Sequence, residues 1–323
     1  MSKTQLTKQP AYSIRPTAPL LKGIRRDWQL IILALPAVAV LAVFSYIPMG
    51  GILYAFQKVS LRKSFFQNQW VGLKWFRDYF NSIYCGRVIR NTLILNFWML
   101  FAGTITEIAL ALIFNEVRDG KFKRITQSCT YFPNFISTTV VVGMMVNMLN
   151  PNTGVLSLLF RNVFGLEPVD LFVEPNAFRP MYIISSVWQG AGWGSIIYLG
   201  AINGIDPTLY EAAALDGCGR ISRIWHITLP GMKPVILTCF ILHMGSIMSL
   251  GAGKILLMYS SATYETADVI STFVYRYGIG SAEYGYGAAV GLFNSVINLI
   301  FANCKNKLSI SVLEGYQSDL GWP

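Results

Sequence analysis

Three groups of residues have the types, but not the spacing, for nucleotide, metal or acid–base chemistry. Residues 251–254 carry the glycine and lysine of a phosphate-binding loop, but Met248 occupies the position of its first glycine and Ile255 that of its serine or threonine. The two histidines, His226 and His243, form neither an H-E-x-x-H motif nor a triad. The five cysteines fit neither a zinc site nor a disulfide framework. The sequence therefore predicts no ATPase site and no catalytic or metal centre.

Residues 203–233 form the longest of the segments between apolar blocks that are predicted to lie on the inner side, and this segment begins with a strong helix-start signal. Asp206 followed by Pro207 is typical of an N-cap and a first helical residue. The helix that follows is rich in alanine, and we expect it to stop at Gly217 or Gly219. A short, rigid helix of small residues can seat in a cleft of a partner protein.

A second helical piece is predicted over residues 220–228, where apolar residues fall on one face. Pro230 is then predicted to interrupt the helix before the next apolar block. One interpretation of the two pieces is an amphipathic helix-turn-helix that rests on a membrane surface. The other is a docking element for a soluble partner.

The composition indicates that a lipid bilayer surrounds much of the chain. Of 323 residues, 53% are hydrophobic and 13% are charged, whereas soluble domains carry about 25% charged residues. This argues against an ordinary soluble enzyme, against disorder and, despite the net charge of +10, against a DNA-binding protein.

Six apolar blocks are long enough to cross a membrane as helices, since a span needs about 20 residues. They are residues 29–56, 91–114, 125–149, 181–202, 234–259 and 284–303. The shorter patch Val155–Phe164 is predicted to be a re-entrant or interfacial helix on the outer side. The predicted organisation is a basic tail (residues 1–28), a six-span domain (residues 29–308) and a C-terminal tail (residues 309–323).

The distribution of lysine and arginine predicts that both termini are cytoplasmic. In that orientation the inner segments hold 15 of these residues and the outer segments hold 10. The first outer loop departs from the rule, because it has one acid, Asp78, beside seven cations: Lys58, Arg62, Lys63, Lys74, Arg77, Arg87 and Arg90.

The segment at residues 203–233 carries a specific motif. Its fixed residues match the pattern E-A-A-x3-G-x9-I-x-L-P at every position: Glu211, Ala212, Ala213, Gly217, Ile227, Leu229 and Pro230. With this motif between the fourth and fifth blocks, the sequence resembles the permease subunits of ATP-binding-cassette importers, from the first block to about Leu308. The resemblance implies an all-α membrane protein, a six-span type I importer permease bundle with a cytoplasmic coupling helix.

The resemblance also implies a role for the motif. In the family this segment receives mechanical force from a soluble ATPase, and that role is carried onto Glu211, Ala212, Ala213 and Gly217, with Asp216 as a further candidate. The implied partners are a second related permease, two ATP-binding-cassette ATPase subunits and an extracytoplasmic solute-binding protein. ATP and magnesium would bind to the ATPases, so this chain is expected to be a transport subunit of the cytoplasmic (inner) membrane without a cofactor or enzymatic activity of its own.

Residues 264–298 are similar to the subgroup that imports complex oligosaccharides, which includes oligo-uronate importers of the alginate type. The stretches D-V-I-S-T-F-V-Y-R-Y-G-I and A-A-V-G-L-F-N-S-V-I-N carry this similarity. A basic outer loop would draw in a polyanionic sugar, which favours an acidic oligosaccharide. The alternatives are a neutral complex oligosaccharide and a basic loop that is solvated or pairs with an acidic binding protein.

Lys254 is the cation expected deeper in the substrate path. It lies about five residues, or roughly 7–8 Å, from the outer end of the fifth block. One interpretation is that it snorkels to the outer interface. The other is that it lines the translocation cavity, where a positive charge suits a carboxylated sugar.

Further candidates for the path are aromatic and amide side chains, since sugars stack on rings and bond to amides. The aromatic and amide residues of the fourth block have an alternative, structural explanation, because nearby glycines permit close helix packing. Polar groups in a span should also face protein or a cavity rather than lipid. The candidates are Trp188, Gln189, Trp193 and Tyr198 in the fourth block and Asn294 and Asn298 in the sixth, with Glu107 of the second block also expected to face inward.

Two functions of other classes compete with the permease. An ion-coupled secondary sugar transporter would need buried ion-carrying groups and usually an internal repeat, and no convincing repeat is present. A membrane enzyme would need a nucleophile–base pair or a metal site. ATP-dependence of uptake separates the permease from the secondary transporter, and product analysis separates it from the enzyme.

Overall fold

The computed structural model describes residues 28–60, 62, 67–165, 167, 169–245 and 247–319. The predicted basic tail lies outside the described residues except for Trp28, as does Lys63 of the first outer loop. The described chain is almost entirely helical and contains one short antiparallel hairpin, β1 (Gln57–Lys58) paired with β2 (Gln69–Trp70).

The α-helices have the following bounds. They are α1 (Trp28–Leu41), α2 (Lys74–Phe80), α3 (Ile83–Glu116), α4 (Lys121–Tyr131), α5 (Thr138–Met148), α6 (Val155–Phe164), α7 (Pro175–Asn203), α8 (Pro207–Leu215), α9 (Arg220–Arg223), α10 (Leu229–Met244), α11 (Ala252–Met258), α12 (Tyr264–Ala267), α13 (Ile270–Phe273) and α14 (Tyr284–Asp319). The 3₁₀ segments are Ile47–Phe56, Phe132–Phe135 and Ser261–Thr263, and the π-helical segments are Ala42–Tyr46, Ile224–Thr228 and Val274–Gly280.

The chain forms two compact units that divide between Gly51 and Ile52. In the first unit, α1 continues through a π-helical turn into a 3₁₀ segment, so the predicted first block is helical from Trp28 onward. The second unit contains all of the elements discussed below.

Four helices among the described residues are long and apolar enough to cross a membrane. They are Ile32–Phe56, Ile83–Glu116, Arg220–Met244 and Tyr284–Asn303, and a bent pair over residues 121–148 is a fifth candidate. The predicted fourth block lies in α7, whose 29 residues exceed the length that a span requires. The total of six spans stays a prediction.

Helices α3 and α7 pack side by side in the same direction and form the centre of the second unit. Near their starts, Leu95 packs in one cluster with Phe178 and Tyr182. Near their ends, Ala111 packs in another with Tyr198 and Ile202. This parallel arrangement agrees with the predicted orientation of the second and fourth blocks, which both run from the outside inward.

The predicted third block is not one continuous helix. Helical residues Lys121–Phe135 and Thr138–Met148 meet at 98°. The break has a local cause, because Pro133 lies in the last turn before it and the Ser137 side chain caps the next helix at the Val140 N–H.

The predicted fifth block, residues 234–259, is also wrong as a single span. The helix ends at Met244, an irregular segment follows, and the separate helix α11 starts at Ala252. An amide from the sixth block stabilises this break, since the Asn298 side chain accepts from the Met248 N–H at 3.3 Å and donates to Ser249 Oγ at 2.9 Å. Lys254 therefore lies on a short helix of its own rather than near the end of a span.

The predicted interruption of the helix at Pro230 does not occur. Helix α9, the π-helical turn and α10 form one continuous helix, Arg220–Met244. Proline lacks the N–H that would bond to the carbonyl four residues back. The chain accommodates this with wider π-type bonds just before it, such as Leu229 N–H to Ile224 O.

Candidate functional site

Helix α8 begins at the predicted cap. The Asp206 carboxylate accepts a hydrogen bond from the Thr208 N–H at 2.9 Å, and Pro207 is the first helical residue. This hydrogen bond holds the pKa of Asp206 below its usual value. Asp206 thus stays charged at the positive end of the helix dipole.

The other end of α8 is closed by Gly217 rather than by Gly219. Gly217 has φ +75°, and its N–H bonds to Ala214 O at 3.2 Å while the Cys218 N–H bonds to Ala213 O at 2.9 Å. These two bonds are the Schellman pattern, which places a left-handed residue after the last helical turn. The glycine of the motif is therefore a conformational requirement of the turn.

Helix α8 projects an exposed surface. Glu211 and Ala212 are exposed, and Leu215 is 89% exposed at the tip. Behind the helix, a cavity of about 460 Å³ is lined by residues of α8 and of the following helix, including Ala213, Asp216 and Arg223. An exposed leucine beside small residues suits a protein partner.

One side-chain contact anchors α8 to the rest of the chain. The Tyr210 hydroxyl lies 3.0 Å from the Thr228 Oγ1, which is buried at the start of the long helix Arg220–Met244. A force applied to α8 would thus pass to this helix. The sequence analysis did not single out Tyr210, although this residue stands directly before the motif residue Glu211.

A cavity of about 230 Å³, with both apolar and polar side chains in its lining, lies between α3, α7 and the end of α10. Its polar lining includes Asn96, Thr104, Glu107, Ser186 and His243. Glu107 faces this cavity from the inward side of α3, as expected for a carboxylate in a span. His243, interpreted from sequence as a packing residue, also lines it.

Lys254 contacts a residue of the cavity lining. Its ammonium donates to Ser186 Oγ at 2.8 Å and lies 5.6 Å from the centre of the Tyr182 ring. The side chain is half-buried, so its position differs from that of a lysine that reaches outward along lipid. The structure thus brings the predicted cation to the cavity through α7.

Three of the four predicted residues in the fourth block have partners in the protein. Tyr198 is 1% exposed and packs in the core with Ala111 and Met232, and its place in the substrate path stays a prediction. The Gln189 amide donates to Ile136 O at 2.8 Å, the carbonyl at the break in the third block. Trp188 and Trp193 are each about half exposed, and Trp193 packs edge-on against Phe135.

The two asparagines of the sixth block differ in their surroundings. Asn298 forms hydrogen bonds with Met248 and Ser249 at the break of the fifth block, as described above. The Asn294 Oδ1 is buried and has no hydrogen-bond partner in the described part of the chain. An unsatisfied buried acceptor is costly in the folded state, which keeps Asn294 as a candidate for a ligand or a second subunit.

Sequence analysis missed a buried ionic cluster at the end of the bundle opposite α8. Asp268 is 0% exposed; its carboxylate lies 2.5 Å from Arg276 Nη2 and 3.6 Å from Arg87 Nη2. The Asn91 amide donates to the backbone oxygens of Glu265 and Asp268. Although burial opposes the charge of Arg276, the hydrogen bond that it donates to the Asp268 carboxylate raises its pKa.

This cluster changes the interpretation of the basic outer loop. Arg87 and Arg90 lie in the first turns of α3 rather than in a loop. Arg87 is already paired with Asp268, an acid that is distant in sequence. Part of the departure from the positive-inside rule is therefore a buried ion pair and not a free surface charge.

Comparison with known families identifies the fold and its class. The family profile described as "Binding-protein-dependent transport system inner membrane component" matches residues 107–306. The chain belongs to this family. The matched region contains α8, its motif and most of the residues around the cavity, so the permease interpretation of the motif is confirmed.

Relatives match the permease over most of its length. It is 38% identical to protein LplB of Bacillus subtilis over 86% of this chain and 87% of that protein. It is 37% identical to the polygalacturonan/rhamnogalacturonan transport system permease protein YteP of the same organism, over 90% of each chain. A chain in a crystal structure of a bacterial ABC transporter involved in the import of the acidic polysaccharide alginate matches with 39% identity and a TM-score of 0.83, over 91% of this chain and 99% of that one.

The permease is thus an inner-membrane component of an ATP-binding-cassette importer and is not itself an enzyme. This excludes the ion-coupled secondary transporter and the membrane enzyme. The all-α importer fold predicted from sequence is confirmed.

Proposed function

We propose that the permease carries an acidic oligosaccharide, an oligo-uronate of the alginate type, delivered by an extracytoplasmic solute-binding protein. The observation that carries this proposal is the match to the alginate importer at a TM-score of 0.83 and 39% identity. A second matching crystal structure contains the alginate transporter with a periplasmic protein bound to an alginate pentasaccharide.

The position of Lys254 supports an anionic substrate. Its ammonium is fixed by Ser186, a residue that lines the cavity between α3 and α7. A fixed cation beside this cavity lowers the energy of a passing carboxylate. The other proposed members of the path are Trp188, Trp193 and Asn294. The two tryptophans have exposed ring surface, and the Asn294 Oδ1 is an acceptor without a partner in the described part of the chain.

We infer that α8 is the coupling helix. Glu211, Ala212, Ala213, Asp216 and Gly217 would form its contact with an ATPase subunit, and the exposed Leu215 extends that surface. The ATPases would bind ATP and magnesium, and their closure would move α8. The Tyr210–Thr228 contact would pass the movement to the helix Arg220–Met244.

The assembled importer would contain this permease, a second related permease and two ATPase subunits. Each permease would supply half of the pore, and ATP binding and hydrolysis would shift the pair between inward-open and outward-open states. Both termini of this chain would be cytoplasmic, since α8 must reach the ATPases.

The test is transport by the purified complex in proteoliposomes, with its binding protein supplied. We expect an oligo-uronate to stimulate ATP hydrolysis and to accumulate, and its carboxyl-reduced neutral analogue to be transported more slowly. Equal transport of the two sugars would contradict an acidic specificity and favour a neutral complex oligosaccharide.

A further inference from the structure

The end of the bundle opposite α8 holds more positive than negative charge. Four guanidinium groups meet two carboxylates where α3 and α7 begin and where the chain passes through α12 and α13. Asn203, where α7 ends just before α8, is 24 residues after Arg179, so this end lies roughly 36 Å from α8 at 1.5 Å per residue. The charged residues are Arg87, Arg90, Arg179 and Arg276 with Glu265 and Asp268.

Two of the four guanidinium groups share one acid. Asp268 is buried between Arg276 and Arg87, and its second oxygen accepts from the Thr272 hydroxyl at 3.0 Å. The acid is therefore fully used by its neighbours, and it cannot also compensate Arg90 or Arg179.

The remaining two guanidinium groups form no ion pair with a carboxylate in the described part of the chain. Arg90 is exposed, and no hydrogen bond or ion pair joins its side chain to any of those residues. Arg179 donates to the neutral Asn91 Oδ1 at 2.9 Å, while its Nε is buried without an acceptor. The nearby charge of Arg90 repels Arg179, and the charge of Glu265 attracts it. A second anion held between the two arginines would relieve the repulsion that Glu265 leaves.

Arg90 lines an open cavity of about 530 Å³, together with Gly86, Arg87 and Glu265. Guanidinium groups bind carboxylates through paired hydrogen bonds. Glu265, on the same cavity, can accept hydrogen bonds from hydroxyl groups. The combination suits a ligand that carries both a carboxylate and hydroxyls on one ring.

We propose that Arg90 and Arg179 form an entry site for the carboxylate of a uronate unit, with Glu265 accepting from its hydroxyls. This inference rests on the proposed function. A sugar fits the cavity better than an acidic side chain of the binding protein does, because a protein carboxylate would leave Glu265 facing a like charge with no donor.

The experiment uses the complete importer with Arg90→Gln, and Arg161→Gln as the matched control. Arg161 is an exposed arginine on α6, on the same predicted side of the membrane. We expect Arg90→Gln to reduce uptake of a limiting oligo-uronate roughly tenfold and to leave uptake of the carboxyl-reduced analogue unchanged. The control should transport both sugars as the unmutated importer does.

Docking of the sugar-free binding protein, measured by its affinity for the importer, separates the two sources of carboxylate. If the affinity of the binding protein is unchanged and only the uptake of the oligo-uronate falls, the entry site is supported. Weaker docking with an equal loss for both sugars assigns Arg90 to the binding-protein contact and overturns the inference, as does unchanged oligo-uronate uptake. If the unmutated importer already transports both sugars equally, the proposed function fails first, and the entry site fails with it.

Discussion

Gly194 of α7 lies directly against the carboxylate of Glu107 on α3, so closely that a β-carbon on the glycine would overlap the carboxylate atoms. The two central helices thus meet here through an acidic side chain that also lines the cavity. It also supplies a neighbour for Glu107, which the sequence left without one.

Gly194→Ala should therefore displace the Glu107 carboxylate, the flexible end of its side chain, into a more crowded position. We expect a loss of about 1–3 kcal/mol in the free energy of unfolding, the usual cost of overpacking, measured by thermal or denaturant unfolding in detergent. Gly190→Ala is the matched control on the same helix, because nothing lies within 4 Å of its β-carbon position. Equal effects of the two variants would show that the Glu107 contact does not limit packing.

Gly217→Asp should uncouple ATP hydrolysis from substrate. A non-glycine residue at φ +75° is strained by roughly 1–2 kcal/mol, which would distort the Schellman turn after α8. The spans should still insert, while substrate-stimulated ATPase activity falls. Gly219→Asp is the control, since Gly219 has an extended backbone with φ −69°. Normal stimulation in the Gly217 variant would contradict the coupling role of α8.

Lys254→Gln should reduce the preference for charged sugars. Glutamine keeps a hydrogen bond to Ser186 in reach but removes the positive charge at the cavity. The ratio of oligo-uronate uptake to uptake of its neutral analogue should fall toward one, because a charge-assisted contact is lost. An unchanged ratio in the variant would assign Lys254 a packing role against Tyr182 instead.

Asp268→Ala should destabilise the permease strongly. It leaves Arg87 and Arg276 without their shared acid, and removal of one partner from a buried ion pair typically costs about 3–5 kcal/mol. The comparison is Asp119→Ala, which breaks an exposed pair with Lys123 and should leave the unfolding temperature unchanged. A small effect at Asp268 would mean that water or lipid headgroups compensate the two arginines.

Cysteine labelling tests the orientation. Cys85 is buried, so it is a poor target, whereas Asn81 and Ala214 are both exposed. With the exposed native Cys129 replaced by serine, Ala214→Cys should react only from the cytoplasm and Asn81→Cys only from outside. Reaction of both from one side of sealed vesicles would overturn the predicted topology.

The features that sequence predicted well are local ones. The N-cap at Asp206, the glycine turn at Gly217 and helix α6 over Val155–Phe164 each depend on a few adjacent residues. Such signals are visible in the sequence because the residue that stabilises the element lies beside it.

The breaks in two spans were only partly predictable in this way, since Pro133 and Ser137 mark the first of them locally. Apolar composition alone favours continuous helices over residues 125–149 and 234–259. The partners that stabilise the breaks are amides on other helices, Gln189 for Ile136 and Asn298 for Met248. These same amides were assigned to the substrate path from sequence, because composition does not show which polar group a buried amide will satisfy.

The ion pair at Asp268 also bears on how the permease is made. Arg87 leaves the ribosome 181 residues before Asp268, which at about 5–20 residues per second is a wait of roughly 10–40 seconds. Throughout that interval, the start of α3 is in place without the acid that will neutralise Arg87. The ends of α3, α7 and α14 can close on one another only after the last third of the chain has been inserted, so truncated or stalled chains would expose this arginine to membrane quality control.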